Sequence, residues 1–158
     1  IVIDAGSREC RVGRAGDDVP SCSFLNGVGR SNLPPAILAQ VLGIQPAGDG
    51  VVGDQEMLGL HIREGRLKLH CPVDRGVITD WDGMERVWCH AFHCLGVAPE
   101  NQPVILVEPP LNPRANRERT AQVFFEVFKV PALFAAVAAE LVMGDQSITT
   151  YQRRPGQL

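Results

Sequence analysis

The chain has 158 residues, of which 45% are apolar, 15 are basic and 18 are acidic, and its formal net charge at pH 7 is -3. This length and apolar content are sufficient for a buried core, and the charge pattern lacks the long basic run of nucleic-acid and membrane-surface binders. No apolar stretch reaches the length of a membrane span, no secretory signal opens the sequence, and the five scattered cysteines fit reduced thiols, so we expect a cytoplasmic protein.

The first predicted element is a hairpin, because short β-branched runs in residues 1–3 and 9–12 flank the turn Ala5-Gly6-Ser7. A turn with glycine and serine at its tip exposes consecutive backbone N–H groups, which form a concave site for a phosphate. Asp4, at the end of the first strand, is placed to orient waters on Mg²⁺. The alternative is a solvated turn in which Asp4 and Ser7 only satisfy local backbone groups.

Residues 27–53 are rich in glycine, proline and alanine, which favours loops with one or two short strands. A short helix over 55–59 and a strand around Leu67 and Leu69 are predicted next.

The clearest predicted helix follows Asp82, which we expect to cap it in a capping box with Glu85. Gly96 is expected to end this helix. Apolar residues at offsets of 3, 4, 7, 8 and 11 form one continuous stripe for the core: Met84, Val87, Trp88, Ala91, Phe92 and Leu95. Trp81 and Trp88 are both expected in the core.

The apolar run 104–107 predicts a strand covered on both faces, as in a parallel sheet. A second helix is predicted over about 114–128, with Val123, Phe124, Val127 and Phe128 buried, and an alanine-rich third helix over about 132–142. A hairpin followed by alternating strands and helices indicates an α/β layered domain.

The segment CHAFHC (89–94) contains two i,i+4 pairs of potential zinc ligands, Cys89 with His93 and His90 with Cys94. The two pairs point roughly 100° apart around the helix, so the four side chains cannot converge on one ion. We therefore expect no metal site, with His90 and His93 on the polar flank of the helix and the two cysteines as small semi-buried groups.

Five segments resemble the actin family in its order and near its spacing: VGRAGDDVP, VVGDQEM, LHCPVDRGVITDWDGMERVWCHAF, GVAPENQPVILVEPPLNPRANRER and VFFEVFKVPALF. The similarity covers about residues 1–139 and looks closest to divergent actin-related or actin-like proteins, including testis-type members. It implies an α/β fold, a partial actin-like ATPase domain of the ribonuclease H-like class shared with sugar kinases and Hsp70, with a mixed sheet and flanking helices. In that fold, residues 1–26 and 60–143 form part of the outer base subdomain, 27–59 a shortened small subdomain, and 144–158 a divergent polar tail.

The resemblance also implies a cofactor, ATP or ADP with Mg²⁺, and places its contacts in the hairpin: Asp4, Gly6, Ser7, Arg8 and Arg11. Arg11 stands where the family has a phosphate-touching lysine. Arg8 replaces a glycine of the family and crowds the phosphate pocket, although it is also able to pair with a phosphate oxygen. Glu9 replaces an apolar residue and repels phosphate.

Two further departures argue against hydrolysis. The family's glutamine that positions the attacking water aligns with Ala138, whose methyl group cannot orient water. Arg75 stands where the family has a histidine. The family's second phosphate hairpin is also missing from this sequence, and VMGDQSITT (142–150) resembles it only faintly.

From these residues we expect no catalytic residues and no efficient ATP hydrolysis. The predicted function is that of an actin-related structural or interaction protein of the cytoskeleton, with protein partners, among them actin or cytoskeletal proteins, and with neither nucleic acid nor membrane as a partner. Arg117 and Glu118 are candidates for the interaction surface, although ion pairing and helix capping are the plainer reading. Two alternatives stay open: an ATP-binding actin-like ATPase whose second domain is missing from this chain, and a truncated non-functional isoform.

Overall fold

A computed structural model describes residues 1–42, 50–138 and 149–152. Its strands are β1 (Val2–Ala5), β2 (Glu9–Gly13), β3 (Cys22–Leu25), β4 (Val28–Arg30), β5 (Gly50–Val51), β6 (Lys68–His70), β7 (Val73–Asp74), β8 (Val77–Ile78), β9 (Val104–Glu108), β10 (Ala132–Val137) and β11 (Thr149–Gln152). Its α-helices are α1 (Pro35–Leu42), α2 (Gln55–Arg63), α3 (Trp81–Leu95) and α4 (Arg114–Gln122).

The largest unit is a six-stranded mixed sheet with the strand order β11-β10-β9-β1-β2-β3. β9 runs parallel to both β1 and β10, whereas the β1–β2, β2–β3 and β10–β11 pairs are antiparallel. The predicted hairpin and the predicted strand at 104–107 are therefore confirmed. The α/β class with a mixed sheet and flanking helices is confirmed as well.

Helix α3 supplies the main apolar contact for this sheet. Its stripe from Met84 to Phe92 is buried as predicted, and Trp88 packs on Phe124 with ring centroids 4.7 Å apart. Trp81 is half-buried against the same core, with the Arg119 guanidinium 4.8 Å from its ring centre. The stripe positions α3 across the face of the sheet that carries Ile3 and Leu106.

The predicted cap of α3 is wrong by two residues. Asp80 is the N-cap: it has extended backbone angles (φ -116°, ψ 101°), and its side chain accepts a hydrogen bond from the Gly83 amide. Asp82 already lies inside the helix, so the capping box with Glu85 does not form. The predicted C-terminus is confirmed, because Gly96 adopts a left-handed conformation (φ 61°) there.

Helix α4 continues into one wide turn over residues 123–127, in which the Phe128 amide donates to the Val123 carbonyl at 3.2 Å. The wide turn changes the angular spacing of the side chains that follow it. Phe124 and Phe128 are buried as predicted, but Val127 is 49% exposed, so its predicted burial is wrong.

The predicted third helix is wrong over residues 132–137, which form the strand β10. Phe134 pairs with Ile105 and Ala136 with Val107 in a parallel ladder, and the high helix propensity of alanine does not outweigh this pairing. The rest of that predicted helix, 139–142, and all of the predicted tail except the backbone of 149–152 lie outside the described residues.

A smaller unit contains the three-stranded sheet β5-β4-β6 and a separate apolar cluster of Leu38, Val51, Leu58 and Leu67. β6 and Leu67 belong to this unit, so it contains residues both before and after position 59, the predicted end of the small subdomain. The helix α1 was not predicted, and α2 extends to Arg63, beyond the predicted end at 59. Among the described residues, no helix is both long enough and apolar enough for a transmembrane span.

Candidate functional site

Three neighbouring parallel strands end at the same edge of the large sheet. The register pairs Asp4 of β1 with Val107 of β9, and Val107 with Ala136 of β10. The β1–β2 turn, Glu108 and Ala138 therefore lie together at what we call the carboxyl edge. Ligands of open α/β sheets bind outside this end of the strands, which makes it the candidate site.

The tip of the β1–β2 turn is formed by Gly6, Ser7 and Arg8, all three exposed. The Gly6 amide donates to the Glu9 carbonyl at 3.0 Å, so this N–H group closes the hairpin. A Cβ atom at Gly6 would lie 3.3 Å from the same carbonyl oxygen, a tight contact that glycine avoids. The predicted phosphate site therefore has one backbone donor fewer than the sequence suggested.

Asn26, which the sequence did not single out, stabilises this turn through two hydrogen bonds. It is buried, its amide nitrogen Nδ2 donates to the Gly6 carbonyl at 2.5 Å, and its backbone N–H donates to the Arg8 carbonyl at 2.9 Å. Its Oδ1 is buried and accepts no hydrogen bond from the described part of the chain. The one feature of the sequence that could have indicated this role is the presence of an asparagine within the apolar segment FLNGV.

Arg11 is engaged by a carboxylate of its own strand. Its guanidinium lies 2.6 Å from Glu9 Oε2, and the Ser23 hydroxyl of β3 donates to Glu9 Oε1. These two hydrogen bonds, that from Ser23 first, lower the pKa of Glu9 below its ordinary value of 4.5. We call these three residues the Glu9 cluster.

The Glu9 cluster lies beside the other predicted cofactor contacts. Asp4 stands directly opposite Arg11 in the β1–β2 ladder. A surface cavity of about 460 Å³ is lined by Asp4, Gly6, Arg8, Glu9, Arg11, Ser23, Phe24 and Leu25. The structure thus brings Asp4, Gly6, Arg8 and Arg11 to one cavity, whereas Ser7 stands at the exposed turn and outside its lining.

Glu108, at the end of β9, is buried and fully engaged. Arg117 contacts it twice, with Nη2 to Oε1 at 2.5 Å and Nε to Oε2 at 3.0 Å, and Asn112 Nδ2 donates to Oε2 at 3.0 Å. A two-point arginine–carboxylate contact fixes both groups. Arg117 therefore holds α4 against the end of β9, which confirms its ion-pairing interpretation. The N-cap of α4 is Pro113, which makes no side-chain hydrogen bond, so the prediction of a helix-capping role is wrong.

Ala138 directly follows β10 and is exposed at the carboxyl edge, at the position where the resemblance places the family's glutamine. Arg75 is exposed in the β7–β8 turn, where it and Gly76 both have positive φ angles of 49° and 84°. This pattern is typical of a two-residue hairpin turn.

The side chains of segment 89–94 contact each other and the core. The Cys94 sulfur lies 3.3 Å from His90 Nε2, and the His90 ring packs edge-on against Phe24 with centroids 4.6 Å apart. Burial, and to a smaller extent the neighbouring His93, lowers the pKa of His90. In residues 1–42, 50–138 and 149–152, no group of three or more His, Cys, Asp or Glu residues is arranged to hold a metal ion.

Comparison with known proteins gives two results. The family model described as Actin matches residues 1–147. A curated relative described as "Actin-like protein", from Neurospora crassa, is 43% identical over 151 residues, which are 95% of this chain and 38% of the relative. The chain thus spans less than two-fifths of the length of that relative.

Proposed function

The chain belongs to the actin family, as the family match over residues 1–147 shows, and on that premise we propose that it is a cytoplasmic, cytoskeletal interaction protein. In this proposal it binds nucleotide weakly or not at all and does not hydrolyse ATP efficiently. The observation that carries the proposal is Ala138, exposed at the carboxyl edge where the family has its water-positioning glutamine. Phosphoryl transfer to water depends on a side chain that orients the attacking water, and a methyl group offers no hydrogen bond for this.

The other polar groups of the carboxyl edge do not replace that glutamine in the proposal. The Glu108 carboxylate accepts hydrogen bonds from Arg117 and Asn112, so it holds α4 in place. Arg11 is paired with Glu9. Asp4 remains as a carboxylate that orients waters on a cation, which supports weak binding of Mg²⁺ and a nucleotide rather than turnover.

Exposed apolar side chains support the interaction function. Leu33, Ile37 and Val41 are spaced four residues apart along α1 and its entry, with exposed fractions of 40%, 46% and 37%. Ile37 and Val41 lie one helical turn apart on one face of α1, beside the buried Leu38, and Leu33 lies in the segment just before the helix. We call this surface the α1 stripe, and it fits a protein partner with an apolar groove.

The competing function is that of an ATP-binding ATPase, and one observation favours it. Asp4, Gly6 and Ser7 keep the family's identities at the end of β1. In that case residues of the family fold beyond this chain would complete the nucleotide site. A nucleotide site with only one of its two phosphate-binding hairpins has low affinity, because most of the binding contacts are missing.

The two functions are separated by calorimetric titration of the purified chain with Mg-ATP, together with an assay for released phosphate. The interaction function predicts a weak heat of binding or none, and no phosphate release above a protein-free blank. An Asp4→Asn variant is the control, since any heat that it retains does not come from a cation at Asp4. Saturable binding with phosphate release, lost in Asp4→Asn, would overturn the proposal.

A further inference from the structure

The Glu9 cluster points to a reason for weak nucleotide binding that is separate from the loss of hydrolysis attributed to Ala138. We propose that Glu9 excludes phosphate-bearing anions from the hairpin cavity by occupying the two donors that such an anion would use, the Arg11 guanidinium and the Ser23 hydroxyl. The inference rests on the proposed function and deepens it. It makes Glu9 a specificity-determining residue, since it decides whether the cavity accepts an anion.

The geometry of the two strands places these donors side by side. Arg11 and Ser23 are direct partners in the β2–β3 ladder, and Glu9 lies two residues before Arg11 on the same face of β2. One carboxylate oxygen contacts the guanidinium at 2.6 Å while the other accepts from the hydroxyl. Both oxygens of Glu9 are therefore directed at the donors that line the cavity.

A carboxylate and a phosphate compete for the same kind of donor. Both make short charge-assisted hydrogen bonds with arginine, and neither displaces the other without breaking them. Glu9 is held next to Arg11 by the chain itself, so it competes at a high effective concentration. Its negative charge, with that of Asp4 opposite Arg11, also opposes the approach of an anion.

The strength of this exclusion is limited by solvent. The side chains of Arg11 and Glu9 are 56% and 45% exposed, and ion pairs at such positions are screened by water and salt. We therefore expect removal of the Glu9 charge to increase anion affinity by roughly two- to fivefold. This change is small enough to require a direct binding measurement.

The experiment is an NMR titration of the ¹⁵N-labelled chain with inorganic tripolyphosphate, without Mg²⁺, at low ionic strength. Glu9→Gln removes the charge and keeps an oxygen that accepts from Ser23. Glu118→Gln is the matched control, because Glu118 is also exposed and paired with an arginine, Arg114, at 2.8 Å. Both variants change the net charge by one unit, so only a local effect of Glu9 separates them.

The expected result is a saturable shift of the Ser7 and Arg8 amides in Glu9→Gln at roughly two- to fivefold lower tripolyphosphate concentration than in the unmodified chain. Glu118→Gln should behave like the unmodified chain. The double variant Glu9→Gln/Arg11→Gln should lose the gain. Glu9→Val, which suits a strand, provides a second variant if Glu9→Gln does not fold.

Equal affinities for the unmodified chain and the Glu9 variants, whether both bind or neither binds, would overturn the inference. A gain that survives the Arg11→Gln substitution would overturn it too. The proposed function is tested separately, because it would be overturned by release of phosphate from Mg-ATP by the unmodified chain.

Discussion

The Arg30 guanidinium of β4 donates to Asp80 Oδ2 at 3.0 Å, while Asp80 Oδ1 accepts from the Gly83 amide at the start of α3. A single carboxylate thus caps the main core helix and ties the small sheet to it. Both side chains are about one-third exposed, so the ion pair is partly screened. This contact is a direct polar link between the small sheet and α3.

Substitution of Asp80 should destabilise the chain through both roles. Asp80→Ala removes the N-cap and the Arg30 partner, and we expect the free energy of unfolding to fall by about 1–2 kcal/mol. Asp80→Asn keeps an oxygen for the Gly83 amide and should cost about half as much. Urea unfolding followed by circular dichroism measures these differences.

Asp82→Ala is the matched control, because Asp82 is exposed within the first turn of α3 and does not cap it. Its cost should stay within about 0.5 kcal/mol. A larger loss for Asp82→Ala than for Asp80→Ala would contradict the capping assignment.

The stability of the chain should decrease when His90 becomes protonated. Burial lowers the pKa of His90 in the folded state below its ordinary value of 6.5, so the unfolded state binds more protons as the pH falls below 6.5. The stability from neutral His90 is therefore complete above that pH and is lost on acidification. Asp54 opposes the shift by favouring the charged form, and His93 adds to it.

Urea unfolding at several pH values between about 7 and 5 measures this effect. Replacing His90 with Asn should reduce the loss of stability over that range, and His70→Asn, at an exposed position of β6, is the control. If His90→Asn and the unmodified chain lose stability equally, burial of a neutral His90 is not the cause.

The five thiols should react with iodoacetamide at different rates. Burial raises the pKa of Cys10 to about 12, so we expect this residue to react only after denaturation. Cys89 and Cys94 are both classed as exposed residues of α3, but the Cys94 thiol itself is partly shielded from water. This partial burial, and then the neighbouring Cys22, raise the pKa of Cys94 to about 12. Cys94 should therefore react more slowly than Cys89.

Time-resolved peptide mass spectrometry at pH 8 separates these thiols. Cys71, which is exposed in the loop before β7, provides a reference for a reactive site. Equal rates for Cys89 and Cys94 would show that exposure alone governs their reactivity.

The α1 stripe should contribute to partner binding. We expect Ile37→Ser/Val41→Ser to weaken co-sedimentation with purified actin filaments by roughly fivefold or more, because it removes two adjacent apolar contacts. Both positions are exposed, so stability should change by no more than about 0.5 kcal/mol per site. Gln40→Ser, at an exposed polar position of the same helix, is the control.

Unchanged co-sedimentation of the double variant would remove the α1 stripe from the interaction surface. Weakening by Gln40→Ser to the same degree would indicate a general effect on the helix rather than a contact made by the stripe.

Several elements followed from local patterns alone. The hairpin at residues 1–13, the buried strand at 104–107 and the stripe of α3 depend on periodicities of two and 3.6 residues, which are properties of the sequence. The resemblance identified the family, because the motifs that carry it are continuous segments of the sequence. Patterns of this kind do not depend on which elements become neighbours.

The remaining features depended on contacts between distant residues. Ala132–Val137 has the composition of a helix but pairs with β9, and the cap of α3 is set by the backbone angles of Asp80 rather than by the spacing that favoured Asp82. The Glu9 cluster needs Ser23, fourteen residues away, and the buried Glu108 needs Arg117. The sequence by itself therefore determined the family, the hairpin and the core helix, whereas only the tertiary structure decided which charges meet at the carboxyl edge, because side-chain partners are chosen by strand pairing and helix packing.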